Sequence, residues 1–183
     1  MIQSKADLKR YLEIEKPLYW EPSFGGRLKQ RIAKDPKVSV FRFVKTLRKE
    51  GFHHNQKGLY HNLCYWYYHR KRNTLGLKLG LEMWDNTFAE GLYIAHAGNV
   101  VINGKARVGK NCILHGSNCI GNRGIDSECP VLGNNVRLGV GAKVIGGITL
   151  ADDITVAAGA VVTRSFFEPG ITVAGIPAQK IKG

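Results

Sequence analysis

Acidic residues are scarce in this sequence. Its 183 residues hold 14 Asp and Glu against 27 Lys and Arg, a formal net charge of +13. The shortage is local: residues 1–80 carry 18 basic against 6 acidic side chains, residues 81–183 nine against eight. Cysteine is sparse too. Cys64, Cys112, Cys119 and Cys129 form no CxxC pair, which leaves out zinc-finger spacing and makes free thiols in a reducing cytoplasm the default. No apolar run approaches the length of a transmembrane span. The opening "MIQSKADLKRYLEIEK" is charged and helical in pattern, without the apolar core of a signal peptide. Neither zinc-finger spacing nor an aromatic-basic RNA-binding signature is present, so nucleic acid is not an expected partner.

What is there divides near Leu81. The composition shift predicts a basic α-helical region over 1–80 and a second domain over 81–183. A basic segment of this kind suits either an anionic partner or a solvated helical face. Ser4 followed by Asp7 is a capping-box pattern, after which Leu8, Tyr11 and Leu12 share a face. Asp35 reads as the N-cap of a second helix, with Pro36 at its first position, Val40, Phe41, Val44 and Leu47 as its apolar stripe, and Gly51 as its stop. A third helix, "LYHNLCYWYYHRKRN", places Leu59, Leu63, Trp66 and Tyr67 on one face. That face is expected to pack on the rest of the protein, with an interfacial anchor as the alternative. The strict alternation of Leu75, Leu77, Leu79, Leu81 and Met83 then predicts a strand.

From Ile102 the period becomes six. Aliphatics fall at Ile102, Val108, Leu114 and Ile120, and after the irregular "GNRGIDSECP" the count resumes in phase at Leu132, Leu138, Val144, Leu150, Val156 and Val162. Two positions earlier stand Val136, Ala142, Ile148, Ile154 and Ala160. No helical period fits six. A short strand and a tight turn do, with one aliphatic pointing inward per unit and three units closing a triangular coil. Glycine and asparagine at turn positions absorb the unusual backbone there. Counting back six from Ile102 lands on His96, where an aliphatic is expected.

With this repeat, the ending "VVTRSFFEPGITVAGIPAQKI" and the segments "NTFAEGLYIAHAGNVVING" and "CPVLGNNVRLGVGAKVIGG", residues 74–183 resemble the hexapeptide-repeat acyltransferases. Within that family they are most like serine acetyltransferases and their cell-surface polysaccharide relatives. The resemblance implies a mainly β fold, a left-handed parallel β-helix of hexapeptide repeats behind the N-terminal α-helical region. It also implies transfer of an acetyl group from acetyl-CoA to a hydroxyl, without a metal. Alcohols ionise little at neutral pH, so a base must take the proton during attack, and histidine suits that task.

His96 falls at the family's base position. Glu82, fourteen residues upstream, is the expected carboxylate partner that would steady the imidazolium, with Asp85 in reserve. His115, about one coil after His96, is either a helper at the site or a surface residue. Cys112 falls in an inward slot and reads as a small core residue, which favours direct transfer over an acyl-enzyme. For the donor, Gly141, Ala142, Ala158 and Gly159 match small residues beside which the pantetheine arm runs. Thr163, Arg164 and Lys180 are expected to meet the nucleotide phosphates.

Two departures from serine acetyltransferases bear on the acceptor. Ala95 stands where they have an acidic residue, and Cys129-Pro130 where they have His-Pro. The sequence therefore leads to an O-acetyltransferase acting on a sugar hydroxyl of a cell-surface polysaccharide precursor. The lipid-linked form of such a glycan would bring the cytoplasmic enzyme to an anionic membrane face. L-Serine O-acetylation is the alternative, and a non-catalytic β-helix scaffold or binding module a third reading. The family resemblance further implies a homotrimer with active sites between subunits.

Overall fold

The computed structural model describes residues 1–125 and 127–182, Lys182 by its backbone alone. Helix α1 (Lys5–Tyr19) begins at the expected box: Ser4 Oγ accepts from the Asp7 amide and the Asp7 carboxylate accepts back from the Ser4 amide, each at 3.0 Å. Helix α2 (Phe24–Ile32), capped by Ser23, follows. Its nine residues include two glycines, which left no period to recognise. Helix α3 (Pro36–His54) starts at Asp35, whose carboxylate accepts from the Lys37 amide, and buries Val40, Phe41, Val44 and Leu47 as expected. It does not stop at Gly51. A Cβ there would make only ordinary contact with Asp85 and Asn86 at 3.5 Å, and the helix runs on through the glycine to His54.

Helix α4 (Leu59–Leu79) corrects two expectations. Leu75, Leu77 and Leu79 are helical, not extended. Leu75 and Leu79, four apart, pack on the core while Leu77 is 88% exposed, so the alternation coincided with a helical i, i+4 pair. The stripe of Leu59, Leu63, Trp66 and Tyr67 faces solvent in the single chain. Polar anchoring decides this: Arg72 and His69 bond the buried Glu50 of α3 at 2.7 and 2.8 Å, and Tyr68 meets Lys49. Those contacts turn the opposite side of α4 inward.

From Leu81 the chain winds as a left-handed parallel β-helix. The first coil holds β1 (Leu81–Glu82) and β2 (Tyr93–Ile94). The next three hold β3 (Val100–Ile102), β4 (Arg107–Val108), β5 (Ile113–Leu114); β6 (Cys119–Gly121), β7 (Val131–Leu132), β8 (Arg137–Leu138); and β9 (Lys143–Ile145), β10 (Thr149–Leu150), β11 (Thr155–Val156). The last has β12 (Val161–Val162), β13 (Thr172–Gly175) and the antiparallel β14 (Ala178–Lys182). Stacking gives three faces: β1-β3-β6-β9-β12 (face I), β4-β7-β10 (face II), and β2-β5-β8-β11-β13-β14 (face III). All ten aliphatics of the six-residue count are buried, as are the five that precede them by two. They stack in register, for example Ile94 on Leu114 on Leu138 on Val156, each burial being worth roughly 1.5–3 kcal/mol for the larger side chains.

The first coil would present an unpaired strand edge, which the helices satisfy. Buried Arg48 pairs with buried Glu15 at 2.6 Å and donates to the Phe88 and Ala89 carbonyls, both at 2.7 Å. Glu15 accepts from the Leu92 amide at 3.2 Å. The Tyr19 hydroxyl donates to the Leu92 carbonyl and accepts from the Ile94 amide. Backbone groups with no preceding coil thus find side-chain partners. Tyr19, Val40, Phe41, Phe43 and Val44 continue the β-helix core into the helices without a break.

Candidate active site

Between faces III and I the chain turns the same corner in every coil. Backbone bonds stack these corners: the Val100 amide donates to Gly80, Ser117 to Gly98, Gly141 to Gly116, and Gly159 to Val140, at 2.8–3.1 Å. From Leu114 to Ile120, Leu138 to Val144 and Val156 to Val162 the inward residues are six apart. From Ile94 to Ile102 they are eight apart. The first corner is therefore two residues longer, with Gly98 and Asn99 both at positive φ. His96 lies in this longer turn. The inward position of its coil is held by Ile94, and His96 is exposed at the surface.

The separately predicted residues gather unevenly around this corner. His96 sits over Gly116, where a Cβ would come 3.4 Å from the imidazole's own Cβ. His115, half-buried, is one coil on from Ala95, since Ile94 pairs with Leu114. Gly141 and Gly159 occupy the later corners at φ 73° and 69°, beside buried Ala142 and exposed Ala158. Glu82 is exposed on the outer side of β1, paired with Val101, and so flanks the corner that carries His96. Among the described residues neither the Glu82 nor the His96 side chain makes a hydrogen bond. Both are open to a ligand or to another subunit.

Other predicted residues are placed elsewhere or already engaged. The Asp85 carboxylate is buried and bonded by His54 Nδ1 at 2.5 Å and Asn86 Nδ2 at 3.0 Å, so it serves the junction with α3. Thr163 and Arg164 lie just beyond β12 at the next corner, between faces I and II, with the Arg164 guanidinium 5.2 Å above the Phe166 ring. Lys180, in β14, is held by Glu168 at 2.7 and 2.8 Å. Cys112 points inward, and burial pushes its thiol up to about 12. Cys119, outward on face I, is also raised by burial, against the pull of Lys143. Neither thiol is set up as a nucleophile.

Two groups were given no role by the sequence. Asn118 is fully buried at the corner directly after His115: its side-chain oxygen accepts from the Gly116 amide at 2.9 Å, and its nitrogen donates to the Gly139 and Ala142 carbonyls at 2.7 and 3.3 Å. It laces two coils together beneath His96, and a polar residue in an inward slot was the signal for it. Trp84 stands with Glu82 in the wall between two surface grooves of about 600 and 590 Å³, the first bordered by Leu77, Asn99 and Val101, the second by Lys105, Cys119 and Gly121.

No family model matches the chain. It is similar to the serine acetyltransferase of Synechococcus elongatus, 32% identical over 132 residues, covering 66% of this chain and 54% of that protein. A serine acetyltransferase of Helicobacter pylori is 37% identical over 105 residues, covering 56% and 61%. The chain thus spans little more than half the length of the curated relatives it matches. Among solved structures, serine acetyltransferase from Brucella abortus in complex with coenzyme A superposes with a TM-score of 0.76 at 23% identity, covering 97% of this chain and 69% of that one. Serine acetyltransferase from Neisseria gonorrhoeae gives 0.74 at 20%, covering 97% and 69%. At these identities the superpositions establish the fold.

Proposed function

The chain belongs to the hexapeptide-repeat acyltransferases, and from that premise we propose that it is an acetyl-CoA-dependent O-acetyltransferase whose active site is the long corner between faces III and I. One observation carries the reading. An exposed, unpaired histidine stands in a turn lengthened by two residues, flanked by an unpaired carboxylate and continuous with the small-residue edge of the later coils. The imidazole itself fills no core slot, since Ile94 holds the inward position of that coil.

In this mechanism His96 takes the acceptor's hydroxyl proton as the oxygen attacks the thioester carbonyl. The new C–O bond forms, the C–S bond breaks, and CoA leaves as a thiolate that recovers the proton from the imidazolium. Glu82 steadies the imidazolium while it carries the charge. Cys112 takes no part. The pantetheine arm runs along the corner past Gly141, Ala158 and Gly159, where side chains are smallest, with Thr163 and Arg164 toward its phosphates. Lys180 joins them only by exchanging Glu168 for phosphate. A homotrimer, with a neighbour closing the corner, completes the proposal.

L-Serine is the acceptor this reading puts first, because serine acetyltransferases recur among the relatives. The sugar hydroxyl expected from the sequence falls behind it. Ala95 and Cys129-Pro130 are the specific observations that keep it as a second reading. The test is thiol release from acetyl-CoA with L-serine against a panel of sugars. His96→Ala should remove transfer, by roughly 100-fold or more, while CoA still binds. Unchanged turnover in the variant sinks the mechanism, and no release with any acceptor leaves the non-catalytic scaffold.

A further inference from the structure

The proposed chemistry makes no use of the cations on α1, α2 and α3. Between α1, α2 and α3 lies a groove of about 300 Å³ walled by Lys16, Arg27, Arg31 and Lys45, with Trp20 and Phe41 at its apolar side and no carboxylate in its lining. Arg27 donates to the Pro22 carbonyl and Arg31 lies 5.3 Å over the Trp20 ring, so both are held in place. Neither they nor Lys16 and Lys45 has a salt-bridge partner among the described residues. Glu13, on α1, has its carboxylate 3.8 Å from Lys9 and is not among the groove's lining residues. Helix α2 itself contains no acid.

The outer side of α2 is apolar. Phe24, Leu28 and Ile32, spaced by four, are 77%, 48% and 74% exposed. At 100° per residue they form a ridge directly beside the row of Arg27 and Arg31. An apolar ridge along a row of unpaired cations is the arrangement of a helix that lies in a lipid interface. We propose that this face docks on an anionic phospholipid surface, with the ridge among the acyl chains and headgroup phosphates in the cationic groove. A second copy is a poor occupant, because it would set the same four cations against each other. Nucleic acid would leave the ridge in water, since phosphodiester contacts need only the cations. This inference does not depend on the proposed activity.

The experiment is co-sedimentation of the full chain with phosphatidylcholine vesicles, with and without phosphatidylglycerol. Retention is expected only on the anionic vesicles and should weaken with salt. Lys16→Gln with Lys45→Gln should lower partitioning about thirty-fold. Phe24→Ser with Ile32→Ser should abolish the salt-resistant part. All four side chains are exposed or line an open groove, and circular dichroism checks that both variants stay folded. Equal retention on neutral vesicles, or retention indifferent to either pair, overturns the proposal. So does displacement by glycerol phosphate, which would mark a small-anion site, or binding to duplex DNA that depends on the cations and ignores the ridge.

Discussion

Cys112 and His96 lie one coil apart and on opposite sides of the same wall, and that difference decides which of them can react. The cysteine points into the core, where nothing stabilises a thiolate and burial pushes the thiol up to about 12. The imidazole stands in water on the long corner. Cys112→Ala is therefore expected to leave acetyl transfer within about two-fold while costing roughly 1 kcal/mol of stability for the lost apolar contact. Iodoacetamide should leave Cys112 unmodified until the protein unfolds. A native chain inactivated by alkylation at this residue would return the acyl-enzyme to consideration. The same wall explains what could be read in advance. Inward slots accept only small and aliphatic side chains, so the ten-member count was legible, and His96 stood out as a violation. The count could not say that the corner had gained two residues, because extra turn residues leave no hydrophobic mark.

Among elements, the junction of α4 with β1 matters most to the site. Gly80 ends the helix in the left-handed region at φ 65°, and a Cβ there would lie 2.8 Å from the Asn99 amide nitrogen and 2.9 Å from the Gly98 Cα. The helix end is thus pressed onto the turn that carries His96. Gly80→Ala should destabilise the protein by about 1–3 kcal/mol through backbone strain and lower acetyl transfer further than the lost folded fraction accounts for. A variant destabilised that far with full specific activity would show that the corner tolerates movement of α4. This junction was the least legible part of the sequence. A strand was expected over Leu75–Leu79 because leucine suits both periods, and α4 was given the wrong inward face. Its anchoring rests on Glu50, His69 and Arg72, and charged residues are read as solvent-facing by default.

At the scale of the whole molecule, the composition boundary near Leu81 is not a break in the packing. The Glu15–Arg48 pair and Tyr19 together satisfy five groups of the first coil's backbone, and one apolar core runs from α3 into the coils. Helices and β-helix should therefore unfold in a single transition. Arg48→Met leaves Glu15 buried without its partner and should cost about 3–5 kcal/mol. Glu15→Gln together with Arg48→Met removes both charges, and its cost should fall well short of the sum of the two single changes. Circular dichroism at the helical minimum, followed beside the fluorescence of Trp84 in a chain carrying Trp20→Phe and Trp66→Phe, checks both statements. If the helical signal of Arg48→Met melts earlier while the fluorescence transition stays at its wild-type midpoint, the two parts are independent. In that case the first coil must close its edge without the helices, and the position of His96 does not depend on them.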